Sequence, residues 1–392
     1  MKLRSLSPSK KLHGVPVLVR VDWNVPTEGA FAAEDSLKLT RSIPFIQSLS
    51  ARGAVVIILT HLGRPKKRER TLSTRQLVPR LKKLGLDLIF HPEPPVSVTL
   101  ETAKPGSVHL LENVRFEAGE EKNSPVLVQA YARLGRLFMN DAFATCHRKH
   151  ASVLGLAKAF GSNAYASPGL IEEVTQLSKL LETPKRPFVA VVGGKKLTTK
   201  MPIIKTLLQE CDAVLVGGAM ATPFFRAQKL EIGKSFCEDQ AIPAARAVAK
   251  HRNLFLPADV MVAPRIDANM KPKPKLIAHL GKKDVIVDVG PATLVAWGSL
   301  LRQAKTILWN GPVGVTEVRA GGFGTRFLAR HIGVHARGPA FAIAGGGDTI
   351  PVIYQTKTES GFDFISTGGG AMLEFIANKG DLPGLEPLRR NL

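Results

Sequence analysis

Short apolar runs that end in polar or turn-forming residues recur along the first half of the chain. Each run has the length of a strand buried on both faces, as in a parallel sheet. Four of them predict strands, at Val15 to Val21, Ala54 to Thr60, Val108 to Leu111 and Leu137 to Asp141. The segment Asp35 to Leu49 instead has apolar residues at spacings of three, which predicts a helix after the first strand.

The second half of the chain shows the same pattern. Its apolar runs predict strands at Pro187 to Gly194, Ala213 to Met220, Val285 to Val289, Ile307 to Pro312 and Phe341 to Ala344. Between the halves, Leu170, Val174, Leu177 and Leu181 form a stripe at helical spacing, which predicts a helix with one buried face. By its length of 392 residues, the chain is expected to fold as about two domains.

The predicted strands of the first half are followed by cationic or hydrogen-bonding groups. Open α/β sheets bind ligands at the carboxyl ends of their strands. The groups are Asp22, Asn24, His61, Arg64, Arg115, His147, Arg148 and His150. Because arginine forks suit phosphate and carboxylate better than ammonium does, the set predicts a site for a small polyanion. Taken singly, each histidine or arginine could also be an ordinary core or surface residue.

Two glycine triplets follow strands near the end of the chain, at Gly345 to Gly347 and Gly368 to Gly370. Glycines directly after a strand let backbone amides approach an anion, and a following helix points its positive end at the same place. The first triplet continues into Asp348 and Thr349, and a carboxylate beside phosphates is a typical Mg²⁺ ligand. The triplets therefore predict a phosphate site with magnesium. Tight strand-to-helix turns are the alternative.

The net charge of +22 is high for a metabolic enzyme. It would suit a nucleic-acid partner, but the basic residues are spread along the chain, and the densest run, Arg64 to Arg70, contains no aromatic residue. We therefore expect an anion-binding cleft within a basic surface, and no nucleic-acid partner. No apolar run approaches the ~18 residues of a membrane helix, so we expect no membrane contact. Three scattered cysteines favour a reducing cytoplasm over a disulfide framework.

Two common nucleotide-binding fingerprints are missing from the sequence. No G-x-G-x-x-G occurs, and Gly233-Lys-Ser235 has Gln228 in place of the leading glycine of a P-loop. Neither a P-loop NTPase nor a dinucleotide-dependent dehydrogenase is therefore indicated.

Seven motifs, in order along the chain, resemble the signature set of the phosphoglycerate kinase family. They are Arg20-Val-Asp-Trp-Asn-Val-Pro26, Thr60-His-Leu-Gly-Arg-Pro65, Leu111-Glu-Asn-Val-Arg-Phe116, Asn140-Asp-Ala-Phe143 with His147-Arg148 and His150-Ala-Ser152, Trp309-Asn-Gly-Pro-Val-Gly314, Gly345-Gly-Gly-Asp-Thr349 and Ser366-Thr-Gly-Gly-Gly370. The resemblance implies an α/β fold with two doubly wound parallel-sheet lobes joined by an interlobe helix. It divides the chain into an N-terminal substrate lobe (1–167), the interlobe helix (168–183), a C-terminal nucleotide lobe (184–375) and a tail returning to the first lobe (376–392).

The resemblance also implies Mg²⁺-dependent, reversible phosphoryl transfer between 1,3-bisphosphoglycerate and ADP, giving 3-phosphoglycerate and ATP, by a monomeric enzyme of glycolysis. The substrate would bind Asp22, Asn24, Lys38, His61, Arg64, Arg115 and Arg148. The nucleotide would bind Lys196, Lys200, Gly217, Gly218, Asn310, Pro312, Glu317, Gly346, Gly347, Asp348 and Thr349, with Asp348 also on the metal. The groups acting on the transferred phosphoryl would be Lys38, Lys200 and the amides of Gly368, Gly369 and Gly370.

Such a reaction needs no general base. A carboxylate acceptor is already ionised at neutral pH, and phosphoryl transfer depends mainly on positioning and charge neutralisation. The two lobes would have to approach each other to align donor with acceptor and to exclude water. We also expect Lys196 and Lys200, four residues apart, to share a face of a helix that opens after the glycines.

Several residues depart from the family pattern. Lys38 replaces an expected arginine and lacks its bidentate fork, and Arg41, on nearly the same helix face, is a candidate for the missing donor. The other departures are Ala144 and Ala219 for glycines, Thr199 for an acid and Thr316 for an aromatic residue. They leave one alternative open, a catalytically weakened anion- or nucleic-acid-binding protein on the same scaffold.

Overall fold

The chain was analysed as a computed structural model, which describes residues 1–27 and 33–390. It divides into two compact units, Met1–Ser178 together with Asn378–Leu392, and Lys179–Ala377. Each unit is built around its own parallel sheet. The finer division into substrate lobe, interlobe helix, nucleotide lobe and tail stays a prediction.

The first unit is a parallel sheet with helices between its strands. The strands are β1 (Pro16–Arg20), β2 (Val55–Leu59), β3 (Ile89–His91), β4 (Val108–Leu111), β5 (Leu137–Asn140) and β6 (Ala164–Ala166). The helices are α1 (Ala33–Ala51), α2 (Val78–Lys83), α3 (Pro125–Ala132) and α4 (Leu156–Phe160). The sheet order is β3-β4-β2-β1-β5-β6, and every pairing is parallel. The chain winds outward on both sides of β1, and this reversal between β1 and β5 opens a crevice at the carboxyl ends.

The core of the first unit explains why its strands are apolar throughout. Val17, Leu18 and Val19 of β1 are all fully buried, because both faces of the sheet are covered. Arg20, the last residue of β1, is the exception, since its charged side chain is also fully buried. A buried charge needs partners, so this end of β1 is marked as a polar site inside the fold.

The second unit contains a larger set of elements. Its strands are β7 (Phe188–Val192), β8 (Ala213–Val216), β9 (Leu254–Phe255), β10 (Asp259–Ala263), β11 (Lys273–Leu276), β12 (Val285–Val289), β13 (Thr306–Asn310), β14 (Phe341–Gly345) and β15 (Phe364–Ser366). The helices from the boundary onward are α5 (Pro168–Glu182), α6 (Met201–Glu210), α7 (Thr222–Ala227), α8 (Ile242–Val248), α9 (Pro291–Gln303), α10 (Phe323–Ala336), α11 (Ile350–Gln355) and α12 (Gly370–Ala377).

The main sheet of the second unit has the order β15-β14-β13-β7-β8-β9 and is parallel throughout. The prediction of two parallel-sheet α/β units is thus confirmed. A three-stranded antiparallel sheet, β11-β10-β12, is an addition that the sequence pattern did not indicate. Its strand β12 was predicted with the right bounds, but it pairs outside the main sheet.

Helix α5 matches the predicted stripe closely. Leu170, Val174 and Leu177 are buried, and Leu180 rather than Leu181 completes the apolar face. Leu180 lies three residues after Leu177 and is only 2% exposed, whereas Leu181 is half-buried. Among the residues described, no helix has the length and apolar character needed to cross a membrane.

Candidate functional site

The parallel sheet of the first unit brings the predicted substrate residues to one edge. Asp22 and Asn24 follow β1, His61 and Arg64 follow β2, Arg115 follows β4, and Arg148 follows β5. Lys38 reaches the same place from α1, because its Nζ lies 3.4 Å from the backbone oxygen of Asn24. Asn24 in turn accepts a hydrogen bond from the Gly63 amide at 2.8 Å, which fixes the loop after β2 against the loop after β1.

We call the arginine and histidine side chains at this edge the arginine–histidine cluster. Its members are Arg20, His61, Arg64, Arg115, His147, Arg148 and His150. Burial, followed by the charges of Arg148 and Arg20, lowers the pKa of Arg115 to about 10. Like charges held this close repel one another. An anion bound among them would relieve that repulsion.

The histidines of the cluster are neutral at pH 7. Burial, followed by the charge of Arg20, lowers the pKa of His61 well below its usual value. Burial and the charge of Arg148 lower the pKa of both His147 and His150 to about 4. Neutral imidazoles remain hydrogen-bonding groups, so the positive charge of the cluster comes from its arginines.

One buried nitrogen in the cluster, Nε of Arg115, has no hydrogen-bond partner within the described ranges. Arg115 does donate through Nη1 to the Gly63 oxygen, and its Nε lies 3.7 Å from a carboxylate oxygen of Glu121, beyond hydrogen-bond distance. Since buried polar atoms are nearly always paired, this nitrogen fits an oxyanion ligand at this edge.

A buried network holds Arg20 in place, and sequence reasoning assigned no site role to Arg20, Glu120 or Ser152. Arg20 Nε donates to Ser152 Oγ at 2.8 Å, and Ser152 Oγ donates to Glu120 Oε1 at 2.5 Å. Arg20 Nη2 also lies 3.2 Å from His61 Nδ1. Glu120 and Ser152 are both fully buried. The one signal in the sequence was a charged residue, Arg20, within an apolar strand.

The second unit contains two adjoining cavities near the predicted nucleotide residues. The first, the glycine-lined cavity, has a volume of about 380 Å³ and is lined by Gly194, Lys195, Thr199, Lys200, Asn310, Gly311, Pro312, Gly346, Gly347, Asp348, Thr349, Gly369, Gly370, Leu373 and Glu374. The second, the apolar cavity, has a volume of about 330 Å³. Its walls include Gly218, Phe236, Ile266, Val285, Val287, Val313, Val315 and Glu317. One cavity is therefore rich in backbone amides and the other in apolar side chains, as phosphates and a base respectively require.

Lys200 is held rigidly beside the glycine-lined cavity. Its Nζ donates to the Gly193 oxygen at 2.7 Å and to Asn310 Oδ1 at 2.8 Å. Burial lowers the pKa of Lys200 to about 8, although the Asp348 carboxylate raises it. Two acceptors and a nearby carboxylate thus keep a buried ammonium in place for an incoming anion.

The first glycine triplet forms the turn that exposes Asp348. Gly346 has φ of +108°, a conformation that side chains rarely adopt. Thr349 Oγ1 accepts a hydrogen bond from the Gly311 amide at 2.7 Å, which ties this turn to the loop after β13. Asp348 is exposed and lines both cavities. An exposed carboxylate at the junction of the two cavities fits Mg²⁺, which takes most of its other ligands from water and phosphate.

A family model described as phosphoglycerate kinase matches residues 8–379. The chain belongs to the phosphoglycerate kinase family. It is 41% identical over 384 residues to the phosphoglycerate kinase of Thermus thermophilus, with 96% of this chain and 97% of that protein covered. The match spans both units, so family membership favours an enzyme over the binding-protein alternative.

Solved phosphoglycerate kinase structures share the fold. The structure of the enzyme from Coxiella burnetii superposes with a TM-score of 0.83 at 38% identity, covering 99% of each chain. The enzyme from Pyrococcus horikoshii gives a TM-score of 0.84 at 28% identity and 97% coverage of each chain.

Within this phosphoglycerate kinase scaffold, the expectation of a shared helical face for two lysines is wrong. Lys196 and Lys200 both precede α6, which begins only at Met201, so no helix aligns them. Lys196 is exposed and does not line either cavity, whereas Lys195 lines both. The turn at Gly194, with φ of +122°, redirects the chain just before Lys195.

Two predicted glycines line neither cavity. The Gly368 amide donates to Ser366 Oγ at 3.1 Å, and Gly368 is buried outside the cavity lining, which argues against its proposed role at the phosphoryl group. A side chain at Gly217 would meet Val313 Cβ at 2.9 Å, so this glycine serves packing and does not line the cavities. Gly369 and Gly370 do line the glycine-lined cavity, as predicted for phosphate contact.

Proposed function

We propose that the chain catalyses the phosphoglycerate kinase reaction, the reversible transfer of a phosphoryl group between 1,3-bisphosphoglycerate and ADP. The products are 3-phosphoglycerate and ATP. The observation that carries this proposal is the unpartnered nitrogen Arg115 Nε, buried within a cluster of arginines. The two cavities around Lys200 and Asp348 supply a matching place for a nucleotide.

The substrate would bind in the first unit through both of its anionic ends. Arg64, Arg115 and Arg148 offer guanidinium groups to phosphate, and neutral His61 offers a hydrogen bond without repelling them. Asp22 lies 4.0 Å from His61 Nδ1 and is placed to accept a hydrogen bond from a substrate hydroxyl. Asn24 and Lys38 complete this proposed site.

The nucleotide would bind in the second unit, with its base in the apolar cavity and its phosphates in the glycine-lined cavity. Gly218, Pro312 and Glu317 border the base and ribose, while Asn310, Gly346, Gly347 and Thr349 shape the phosphate side. Asp348 would hold Mg²⁺, which neutralises phosphate charge and orients the nucleotide when bound. Lys196 remains a proposed nucleotide residue, although its exposure leaves it the weakest of the set.

Catalysis would come from charge neutralisation on the transferred phosphoryl group. Lys200 presents a fixed ammonium, and the amides of Gly369 and Gly370 face the same cavity. Lys38 would stabilise charge on the acceptor side. No residue need remove a proton, because the acceptor carboxylate is ionised. Transfer requires a state in which the two ligands meet in line and water is excluded.

We also propose that the enzyme works as a monomer in the cytoplasm. Support for the compartment comes from the cysteines, since Cys146, Cys211 and Cys237 are all free. Unpaired cysteines are usual in a reducing environment.

The first experiment measures conversion of MgATP to MgADP that depends on 3-phosphoglycerate, coupled to reduction of the bisphosphate product. We expect turnover by the native chain and a gain of about threefold in kcat/KM for 3-phosphoglycerate in Lys38→Arg, because the guanidinium adds a second hydrogen bond.

Arg41→Ala, assayed in parallel, decides whether Arg41 supplies the missing donor. Its side chain is exposed. Burial raises the pKa of Asp141 to about 7, and the charge of Arg41 opposes this rise. An unchanged rate in this variant would assign Arg41 to the surface. No turnover by folded native chain and by folded Lys38→Arg would overturn the proposed function.

A further inference from the structure

We propose that Lys195 couples recognition of the nucleotide's phosphates to recognition of its base. The proposal rests on the proposed function and adds a specificity-determining residue to it. Lys195 would favour nucleotides and disfavour nucleosides that lack phosphate.

Lys195 lies where the two cavities join. Four residues line both of them: Gly194, Lys195, Pro312 and Asp348. Within the part of the chain that the structure describes, Lys195 is the cation of this junction and Asp348 its carboxylate. A nucleotide with its base in the apolar cavity must pass its first phosphates through this junction, beside the Lys195 ammonium.

Lys195 covers part of the apolar cavity. Its Nζ lies 5.0 Å from the ring centroid of Phe236, within the range of a cation–π contact. Phe236 is 45% exposed and lines the apolar cavity. A planar base binds by packing on such a ring face, so the base and the ammonium compete for Phe236.

The neighbouring lysines, Lys196 and Lys200, do not contact both the aromatic wall and the phosphate side. Lys200 Nζ is held by the Gly193 oxygen and by Asn310 Oδ1, deep beside the glycine-lined cavity. Lys196 lines neither cavity. Lys195 alone among the three contacts an aromatic wall of the apolar cavity and also borders the phosphate side.

Because the Lys195 ammonium can contact either the Phe236 ring or a phosphate, its effect on affinity differs between nucleotides and nucleosides. A nucleotide displaces the ammonium from Phe236 and offers it a phosphate, which is a stronger partner than the ring. A nucleoside displaces the ammonium and offers nothing in return. Removing the charge should therefore weaken nucleotide binding and strengthen nucleoside binding.

The test is calorimetric titration of the full chain with MgADP and, separately, with adenosine. Lys195→Met removes the charge and keeps the length of the side chain. We expect its Kd for MgADP to rise about tenfold, from the lost charged contact. We expect its Kd for adenosine to fall about two- to fivefold, because the ring no longer holds an ammonium.

Two further variants serve as controls. Lys205→Met removes an exposed lysine of α6 that lines neither cavity, and both affinities should stay native. Lys195→Arg keeps the charge and should retain the native preference for MgADP over adenosine. In the kinase assay, Lys195→Met should raise KM for MgATP with kcat changed by less than about twofold, as expected for a group that contributes to binding.

Each other outcome is decisive. If Lys195→Met weakens the binding of both ligands, Lys195 only shapes the cavity wall, and the proposed coupling between phosphate and base recognition is wrong. If it changes neither, Lys195 does not meet the nucleotide. If the native chain binds MgADP but the adenosine result has the opposite sign, only this inference fails. If the native chain binds neither ligand, the proposed function itself fails.

Discussion

Lys200 should lose its proton within the pH range in which the enzyme can be assayed. The pKa of this lysine is lowered from 10.5 to about 8, because burial outweighs the attraction of Asp348. Below this pH the ammonium is present to neutralise phosphate charge. Above it the neutral amine can no longer do so, and the rate should fall.

The size of the effect follows from the titration of one group. With a pKa of about 8, roughly a tenth of the Lys200 side chains carry a charge at about pH 9. We therefore expect kcat/KM for MgATP to be level up to about pH 7.5 and to fall about tenfold per pH unit above 8. The corresponding alkaline decline in kcat should lie at higher pH, since bound phosphate favours the charged form of Lys200.

The assay is initial rate against pH at saturating 3-phosphoglycerate, so that the first unit does not limit the measurement. Lys200→Arg is the matched variant, because a guanidinium stays charged throughout this range. It should be slower at neutral pH, and its profile should lack the alkaline limb. A native profile that stays level to about pH 9.5 would refute the reasoning. It would show that the hydrogen bonds to Gly193 and Asn310 keep Lys200 protonated despite its burial.

Two further predictions concern the stability of the first unit. The pKa of His150 falls to about 4 in the folded chain from its usual value near 6.5, so the unfolded chain binds more protons between these values and stability falls as the pH falls through this window. His150→Gln should remove about 2 kcal/mol of the loss between about pH 7.5 and 5, measured by urea unfolding at both values, and an unchanged difference would contradict it. Glu120→Gln leaves the fully buried Arg20 without the first of the carboxylates that stabilise its charge. It should cost about 3 kcal/mol in urea unfolding, against about 1 for Ser152→Ala, and equal losses would contradict the role of charge.

The sequence predicted the framework of both units well because buried parallel strands have a simple pattern. Strand β4 was predicted with its observed bounds, and β1, β2 and β5 to within one residue at each end. The same logic predicted that the residues of the proposed substrate site would share one edge of the sheet. Parallel strands bring their carboxyl ends to one edge, so residues far apart in sequence, such as Asn24 and Arg148, were expected together.

Three features could not be predicted from the pattern of buried strands, each for a physical reason. The network of Arg20, Glu120 and Ser152 depends on contacts across more than a hundred residues, which no local pattern encodes. Strand β11 is short and largely exposed, so it lacks an apolar run.

The third feature is the choice between neighbouring lysines. Helical spacing favoured Lys196, but the segment is a turn, and the positive φ of Gly194 places Lys195 at the cavities instead. Side-chain direction in such a turn depends on backbone geometry and not on residue spacing.

The neutral histidines of the arginine–histidine cluster keep the charge of that cluster constant on mild acidification. The pKa values of these histidines lie so far below neutrality that a fall in cellular pH of about one unit, from ~7.5, leaves them uncharged. The substrate's phosphate, with a second pKa near ~6, takes up protons in that interval. Acid conditions should therefore weaken substrate capture through the ligand, while the histidines of the cluster stay neutral.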